Sequence, residues 1–117
     1  MLVLLAPVAR SAPSYGPMPK HWSARLSTPP GWYAEALCIH SREGAWNSIG
    51  YVHGVATYGG GMQFMLGTYQ GVGGIASSLW DIARASPKEQ LYRAFLVWRR
   101  DGSSWAEWGT AGACGLR

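Results

Sequence analysis

The stretch Cys38-Ile39-His40-Ser41-Arg42-Glu43-Gly44-Ala45-Trp46-Asn47 decides how this chain is read. It ends a run from Trp32 to Arg42 in which helix formers dominate. Within that run Trp32, Ala36, Ile39 and Glu43 recur at spacings of four, three and four, so they share one helical face. Gly44 then stops the helix in the manner of a C′ glycine. Glu43 is therefore expected at the helix mouth, its base in the protein and its tip in whatever cleft lies beyond. A second stretch, Tyr58-Gly59-Gly60-Gly61-Met62-Gln63-Phe64, follows with aromatic, glycine and amide groups. An acid at a helix end, facing such a wall, is the sequence form of a cleft that holds and cleaves a glycan.

Working outward, residues 46–61 hold five glycines and the β-favouring Ile49, Tyr51, Val52, Val55 and Tyr58, which predicts an irregular hairpin or wide loop. Met62 to Gln70 reads as a short helix entered through Gly59-Gly60-Gly61 and ended by Gly71, Gly73 and Gly74. A second short helical piece is expected around residues 75–84. The clearest helix start is Ser86-Pro87-Lys88-Glu89: Ser caps, Pro takes the first turn, and Glu at the third position completes a capping box. That helix runs through Leu91, Tyr92, Phe95, Trp98 and Arg99 to Arg100, where Asp101-Gly102 ends it. Trp105 and Trp108 then fall in a loop or one-turn helix before Cys114. The fold class is mainly α (α+β) with a small β-like insertion.

On the N-terminal side, residues 11–31 carry Pro13, Pro17, Pro19, Pro29 and Pro30 among Ser, Gly and Tyr, which reads as a linker without regular structure. Residues 2–9, Leu-Val-Leu-Leu-Ala-Pro-Val-Ala, are too short an apolar run to cross a bilayer as a helix. They look like the end of a secretory signal peptide whose positively charged leading region is missing. The expected organisation is thus a truncated signal at 1–11, a Pro-rich linker at 12–30 and one domain at 31–117. At 117 residues the chain supports a single core and not two domains.

Charged residues make up only 14% of the chain, against seven Trp and sixteen Gly, so aromatic rings must either seal a small core or stay half exposed as platforms for sugar rings. A net charge of +4 without Lys/Arg runs is too mild for nucleic acid. It suits an anionic polymer such as a bacterial wall, through an attraction that salt weakens, and equally a charge that only aids solubility. The two cysteines, Cys38 and Cys114, lack the third and fourth ligands of a zinc site. In an oxidising compartment they would form one bridge closing most of the domain, and the export signal favours that compartment over a pair of buried thiols.

Cleaving a glycosidic bond needs a proton for the leaving oxygen, and most glycosidases use two carboxyls. The chain offers six: Glu35, Glu43, Asp81, Glu89, Asp101 and Glu107. Glu89 is committed to a cap and Asp101 to a helix end. Glu35 lies two turns from Glu43, about 12 Å along the axis, which is too far for a retaining pair. No partner for Glu43 is near it in sequence. A lone acid remains workable where a substrate 2-acetamido group supplies the internal nucleophile.

The ordered set Cys38, Glu43, Trp46-Asn47, Tyr58-Gly59-Gly60, Gln63-Phe64, Thr68-Tyr69 and Cys114 resembles the transglycosylase-like domain of the resuscitation-promoting factors. These are small relatives of lysozymes and soluble lytic transglycosylases, and the likeness covers about residues 31–115. The chain departs from the family in the four residues between Cys38 and Glu43, in one extra glycine, and in Tyr69 where Trp is usual. The resemblance implies a small lysozyme-like domain with a short β-hairpin or loop insertion and one disulfide, Cys38–Cys114, tying the first helix to the C-terminus. It implies cleavage of the β-1,4 bond between N-acetylmuramic acid and N-acetylglucosamine, with Glu43 protonating the leaving oxygen and then acting as base. Attack by the muramyl C6 hydroxyl would give a 1,6-anhydro sugar, and attack by water a reducing end. Gln63 would hydrogen-bond the glycan and Tyr58 would line the groove, with Trp46, Asn47, Thr57, Thr68 and Tyr69 as further substrate contacts.

The same reading expects a secreted, cell-wall-associated monomer whose partner is a peptidoglycan strand. It expects no cofactor, no metal, no nucleic acid and no stable membrane insertion. Two other readings use the same residues: a non-catalytic module that binds wall glycan, and a phage-associated domain that penetrates a host wall.

Overall fold

A computed structural model describes residues 15–117. The apolar run at residues 2–9, with the export signal read from it, lies outside the described residues. Among those described, the chain is α+β: helix α1 (Trp32–Glu43), strands β1 (Ile49–Val52) and β2 (Val55–Gly59), then helices α2 (Leu66–Gly71), α3 (Leu79–Arg84) and α4 (Pro87–Arg100). A single 3₁₀ turn, Ala111–Cys114, closes the chain, and a Cys38–Cys114 disulfide joins that turn to α1.

Helix α4 is the axis of the core. Ser86 caps it, its hydroxyl accepting the Glu89 N–H at 3.1 Å, and Pro87 takes the first turn. The reciprocal half of the expected capping box is replaced, because the Glu89 carboxylate accepts from Arg93 Nε at 2.6 Å, one turn further on. From Gln90 to Val97 every residue is buried, the signature of a helix enclosed on all sides. The enclosing layer is largely aromatic: Trp22 meets Tyr92 edge-on at 5.1 Å and Trp32 meets Phe95 at 5.3 Å. Trp105 stacks on Trp32 at 5.4 Å and meets Trp108 edge-on at 5.2 Å. Trp22, Trp32, Trp105 and Trp108 are therefore core, Trp46 and Trp98 are half buried, and Trp80 is 46% exposed.

Helix α1 presents the face its spacing predicts, with Trp32, Ala36 and Ile39 buried and Glu43 at the end of the same stripe. Its termination differs in kind from a left-handed C′ glycine. The Gly44 N–H still closes a turn onto the His40 carbonyl, but φ 128° and ψ −175° carry the chain away extended, in a region open essentially to glycine alone.

The Pro-rich segment from residue 15 onward has no regular structure, as its prolines predict, but it is not a free linker. Trp22 and Ala24 are buried in the core, and Tyr15 and Met18 pack against it. The buried Arg93 guanidinium donates to the Gly16 carbonyl at 3.0 Å and to the Val72 carbonyl at 2.8 Å. A Trp ring buries enough apolar area to hold a prolyl strap on a helix that offers it aromatic partners. The domain therefore begins ahead of residue 31.

Strands β1 and β2 form an antiparallel hairpin around a tight turn at His53-Gly54. Gly50 pairs with Tyr58 and Tyr51 with Ala56, so Thr57 is the extra residue of a bulge. A bridge between Gly59 and Phe64 then closes a small loop carrying Gly60 to Gln63. The short helix expected from Met62 starts only at Leu66, because residues 60–63 are spent on that loop. The next helix begins at Leu79 and not near Ile75, its first turn preceded by the Ser77 N–H bonding Asp81 Oδ2 at 2.9 Å.

Candidate active site

Three of the expected residues share one cavity of about 260 Å³: Glu43 from the end of α1, Tyr58 from β2 and Gln63 from the closed loop. The rest of its lining is residues 107–110. Glu43 is half buried and, among the described residues, enters no ion pair. The Thr110 hydroxyl donates to its Oε1 at 2.7 Å, fixing one carboxyl oxygen and leaving the other to the cavity. Arg42 is exposed, and the His40 ring is engaged elsewhere. Ordinary ligand pockets measure roughly 300–1,000 Å³, so this cavity lies just below that range and takes only a small group.

Gln63 is held by the fold in an unusual state. Its φ is 50°, a left-handed conformation rare outside glycine, and such strain gathers at functional positions. Its Nε2 donates to the Gly60 carbonyl at 2.7 Å and to the Ser48 hydroxyl at 3.3 Å. Both amide hydrogens are thus used internally, and Oε1 is the atom left to accept from a ligand. That oxygen sits against Gly50 so closely that any Cβ there would overlap it, which is why β1 carries glycine opposite Tyr58. Gly50→Ala is expected to push Gln63 out of the cavity and cost about 1–3 kcal/mol of stability. Urea unfolding reads the stability loss, and glycan binding by calorimetry reads the displaced amide.

The loop is clamped from behind by α1 and α4. His40 stacks on Trp46 with ring centroids 3.7 Å apart, and its Nδ1 lies 2.8 Å from the Gly61 carbonyl, to which it donates. Fully buried Gln90 accepts the Gly61 N–H at 2.8 Å and donates from Nε2 to the Trp46 and Ala85 carbonyls, each at 3.0 Å. One amide therefore satisfies three backbone groups from three segments. Gln90→Leu keeps the volume and orphans those groups; only the bond to the Gly61 N–H is fully buried, the two carbonyls being part-buried, so a net loss of about 2–4 kcal/mol is expected. The check is a lower urea midpoint at unchanged slope.

Five expected contacts do not line this cavity. Trp46 is occupied by His40, and Asn47 is exposed. The Thr57 hydroxyl turns back to the Val55 carbonyl at 2.8 Å, and Thr68 is half buried on α2. Tyr69 is core, edge-on to Phe64 at 5.2 Å, and borders a larger depression of about 590 Å³ elsewhere. That depression offers little acid–base chemistry. Its Arg93–Glu89 and Arg84–Asp81 pairs are already formed, and burial, then the Glu89 charge, pushes the Tyr69 phenol up to about 12. Glu35, set aside on distance, has a structural partner: it accepts from Trp105 Nε1 at 2.7 Å.

None of residues 107–110 was expected in the cavity, and one of them is a second carboxyl. Glu107 lies 64 positions after Glu43 and lines the same space. Its Oε2 accepts from Arg100 Nη2 at 2.6 Å, while Arg100 Nε holds Asp101 at 3.2 Å. Burial raises the Glu107 carboxyl above its ordinary range, and the neighbouring Asp101 carboxylate adds to the rise while Arg100 opposes it. Two carboxyls, an amide oxygen and a phenol around one cavity can move protons at a polar bond. No protein-family model, curated protein or solved structure matches the chain.

Proposed function

We propose that this chain is a peptidoglycan-cleaving glycosidase of lysozyme-like fold, cutting the β-1,4 bond between N-acetylmuramic acid and N-acetylglucosamine. The observation that supports it most is the state of Glu43: half buried, bound to no cation among the described residues, and opening into a cavity with Tyr58 and Gln63. In this reading Glu43 protonates the departing O4 as the glycosidic bond breaks. Gln63 Oε1 accepts a hydrogen bond from a sugar N–H or hydroxyl, and Tyr58 lies against a ring. The attacking oxygen comes from water or from the substrate itself. A disulfide and a mild positive charge suit a protein working outside the cell on an anionic wall.

The test is digestion of purified peptidoglycan by the wild type and by Glu43→Gln, followed by mass spectrometry of soluble fragments. Release by the wild type alone supports the proposal. Equal release by both removes Glu43 from the reaction. Tight association with the wall and no release by either leaves a glycan-binding module.

A further inference from the structure

We propose that Glu107 is a second catalytic carboxyl of this site, a base that activates water across the cavity from Glu43, with Asp101 as its positioning residue. The inference rests on the glycosidase reading above and assigns its nucleophile: water, hence a hydrolase.

The chain bounds the separation of the two carboxyls. Glu107 is three residues before Thr110, at most about 11 Å of extended backbone. Thr110 is itself bonded to Glu43 at 2.7 Å, and both carboxyls line the one cavity. Orientation is fixed by Arg100, whose guanidinium holds Glu107 and Asp101 side by side.

A second, independent observation concerns Asp101. Its Oδ2 is buried and has no hydrogen-bond partner among the described residues, which is costly for a carboxylate oxygen. A proton taken up by Glu107 would supply that partner. Asp101 thereby stabilises the protonated form of Glu107 and makes it a stronger base than a free glutamate, while Arg100 keeps enough of it ionised to act. The titratable and charged groups around Glu107 are Arg100 and Asp101, beside it, and Glu43 and Tyr58, which line the same cavity.

The step balances as a single displacement. A water oxygen attacks the anomeric carbon, and the bonding pair of the C1–O4 bond leaves with O4, which takes the proton of Glu43. Glu107 takes a proton from the attacking water. The new hydroxyl sits on the face opposite the departed oxygen, so a β bond yields an α reducing end. Protons return to Glu43 from Glu107 through solvent. An acid on one side of the bond and a water-activating base on the other is the division of labour of inverting glycosidases.

The experiment compares wild type, Glu43→Gln, Glu107→Ala, Glu107→Gln and Asp101→Asn on peptidoglycan, with mass spectrometry and NMR of the first-formed ends and circular dichroism for folding. Reducing ends that appear first as the α anomer are expected from the wild type. Both Glu107 variants should release fragments roughly 10²–10⁴-fold more slowly. Azide should restore release by Glu107→Ala and appear on the anomeric carbon in the α configuration, which a purely structural role would not produce. Asp101→Asn should move the acidic limb of the kcat/KM profile to lower pH, because the base loses the charge that raises it. Anhydro ends, retained configuration, undiminished release by Glu107→Ala, or an absent azide adduct would each overturn the inference. An inactive wild type would fell the glycosidase reading and this inference together. An active wild type with a silent Glu43→Gln and a fully active Glu107→Ala would fell this inference alone.

Discussion

Glu43→Gln is expected to slow muropeptide release by roughly 10²–10⁴-fold, the usual contribution of a positioned general acid. The substitution removes the transferable proton and little else. Gln keeps an oxygen at the Oε1 position, so Thr110 can go on donating to it. No ion pair is lost, because Glu43 makes none among the described residues. Half-buried, unpaired sites of this kind usually tolerate such a change within about 0.5 kcal/mol. The expected result is therefore a split between rate and stability: an unchanged urea midpoint, unchanged wall binding and a lost reaction. A fall in the midpoint matching the fall in rate would mean that Glu43 holds the α1 end together and does no chemistry.

What the sequence makes legible here is what local forces decide. The α1 face follows from the spacing of Trp32, Ala36, Ile39 and Glu43, and the start of α4 follows from Ser86 and Pro87, because caps and helical stripes act within a few residues. Glu43, Tyr58 and Gln63 could be read as one site because the hairpin between them is short. The misplaced features depend on partners far along the chain. Proline density correctly removes regular structure from residues 15–31 but says nothing of Tyr92, 70 residues away, on which Trp22 packs. Trp46 reads as a glycan contact until His40 is stacked on it and Gln90 is brought to its carbonyl. Glu107, one of the six carboxyls of the chain, cannot be matched to Glu43 for the same reason. A search for a second carboxyl close to Glu43 in sequence cannot find one delivered by the C-terminal segment, although Trp105 and Trp108 on either side of it hint that the segment is anchored. Glycines misled once more: Gly59-Gly60-Gly61 reads as a helix approach, whereas the chain spends those residues on the loop that strains and holds Gln63.

Replacing Cys38 and Cys114 together by Ser is expected to lower unfolding stability by about 2–5 kcal/mol, and to lower muropeptide release as well. The bridge spans 76 residues of sequence, and the loop-entropy argument gives about 4.5 kcal/mol for a closed loop of that length. A small domain has an unfolding free energy of only about 5–15 kcal/mol, so this is a large share. The functional effect has a separate cause. Cys114 ends the 3₁₀ turn that begins at Ala111, and Thr110, the residue before it, holds Glu43. On the other side of the bond Cys38 lies five residues before Glu43 in the same helix. The disulfide therefore ties the donor and the acceptor of that hydrogen bond into one covalent frame. Other anchors of this segment remain, Trp108 Nε1 donating to the Met62 carbonyl at 2.8 Å, Trp105 Nε1 to Glu35 at 2.7 Å and Arg100 to Glu107 at 2.6 Å, so the segment is expected to loosen and not to detach. Urea unfolding of the double variant, and of the wild type with and without reductant, measures the stability term. Release rates at temperatures where the variant stays folded measure the positioning term. A variant whose midpoint drops while its release at low temperature matches the wild type would show that the remaining anchors of the segment hold Thr110 against Glu43 without the bridge. An unchanged midpoint would mean that the bridge closes a loop already closed by the aromatic core.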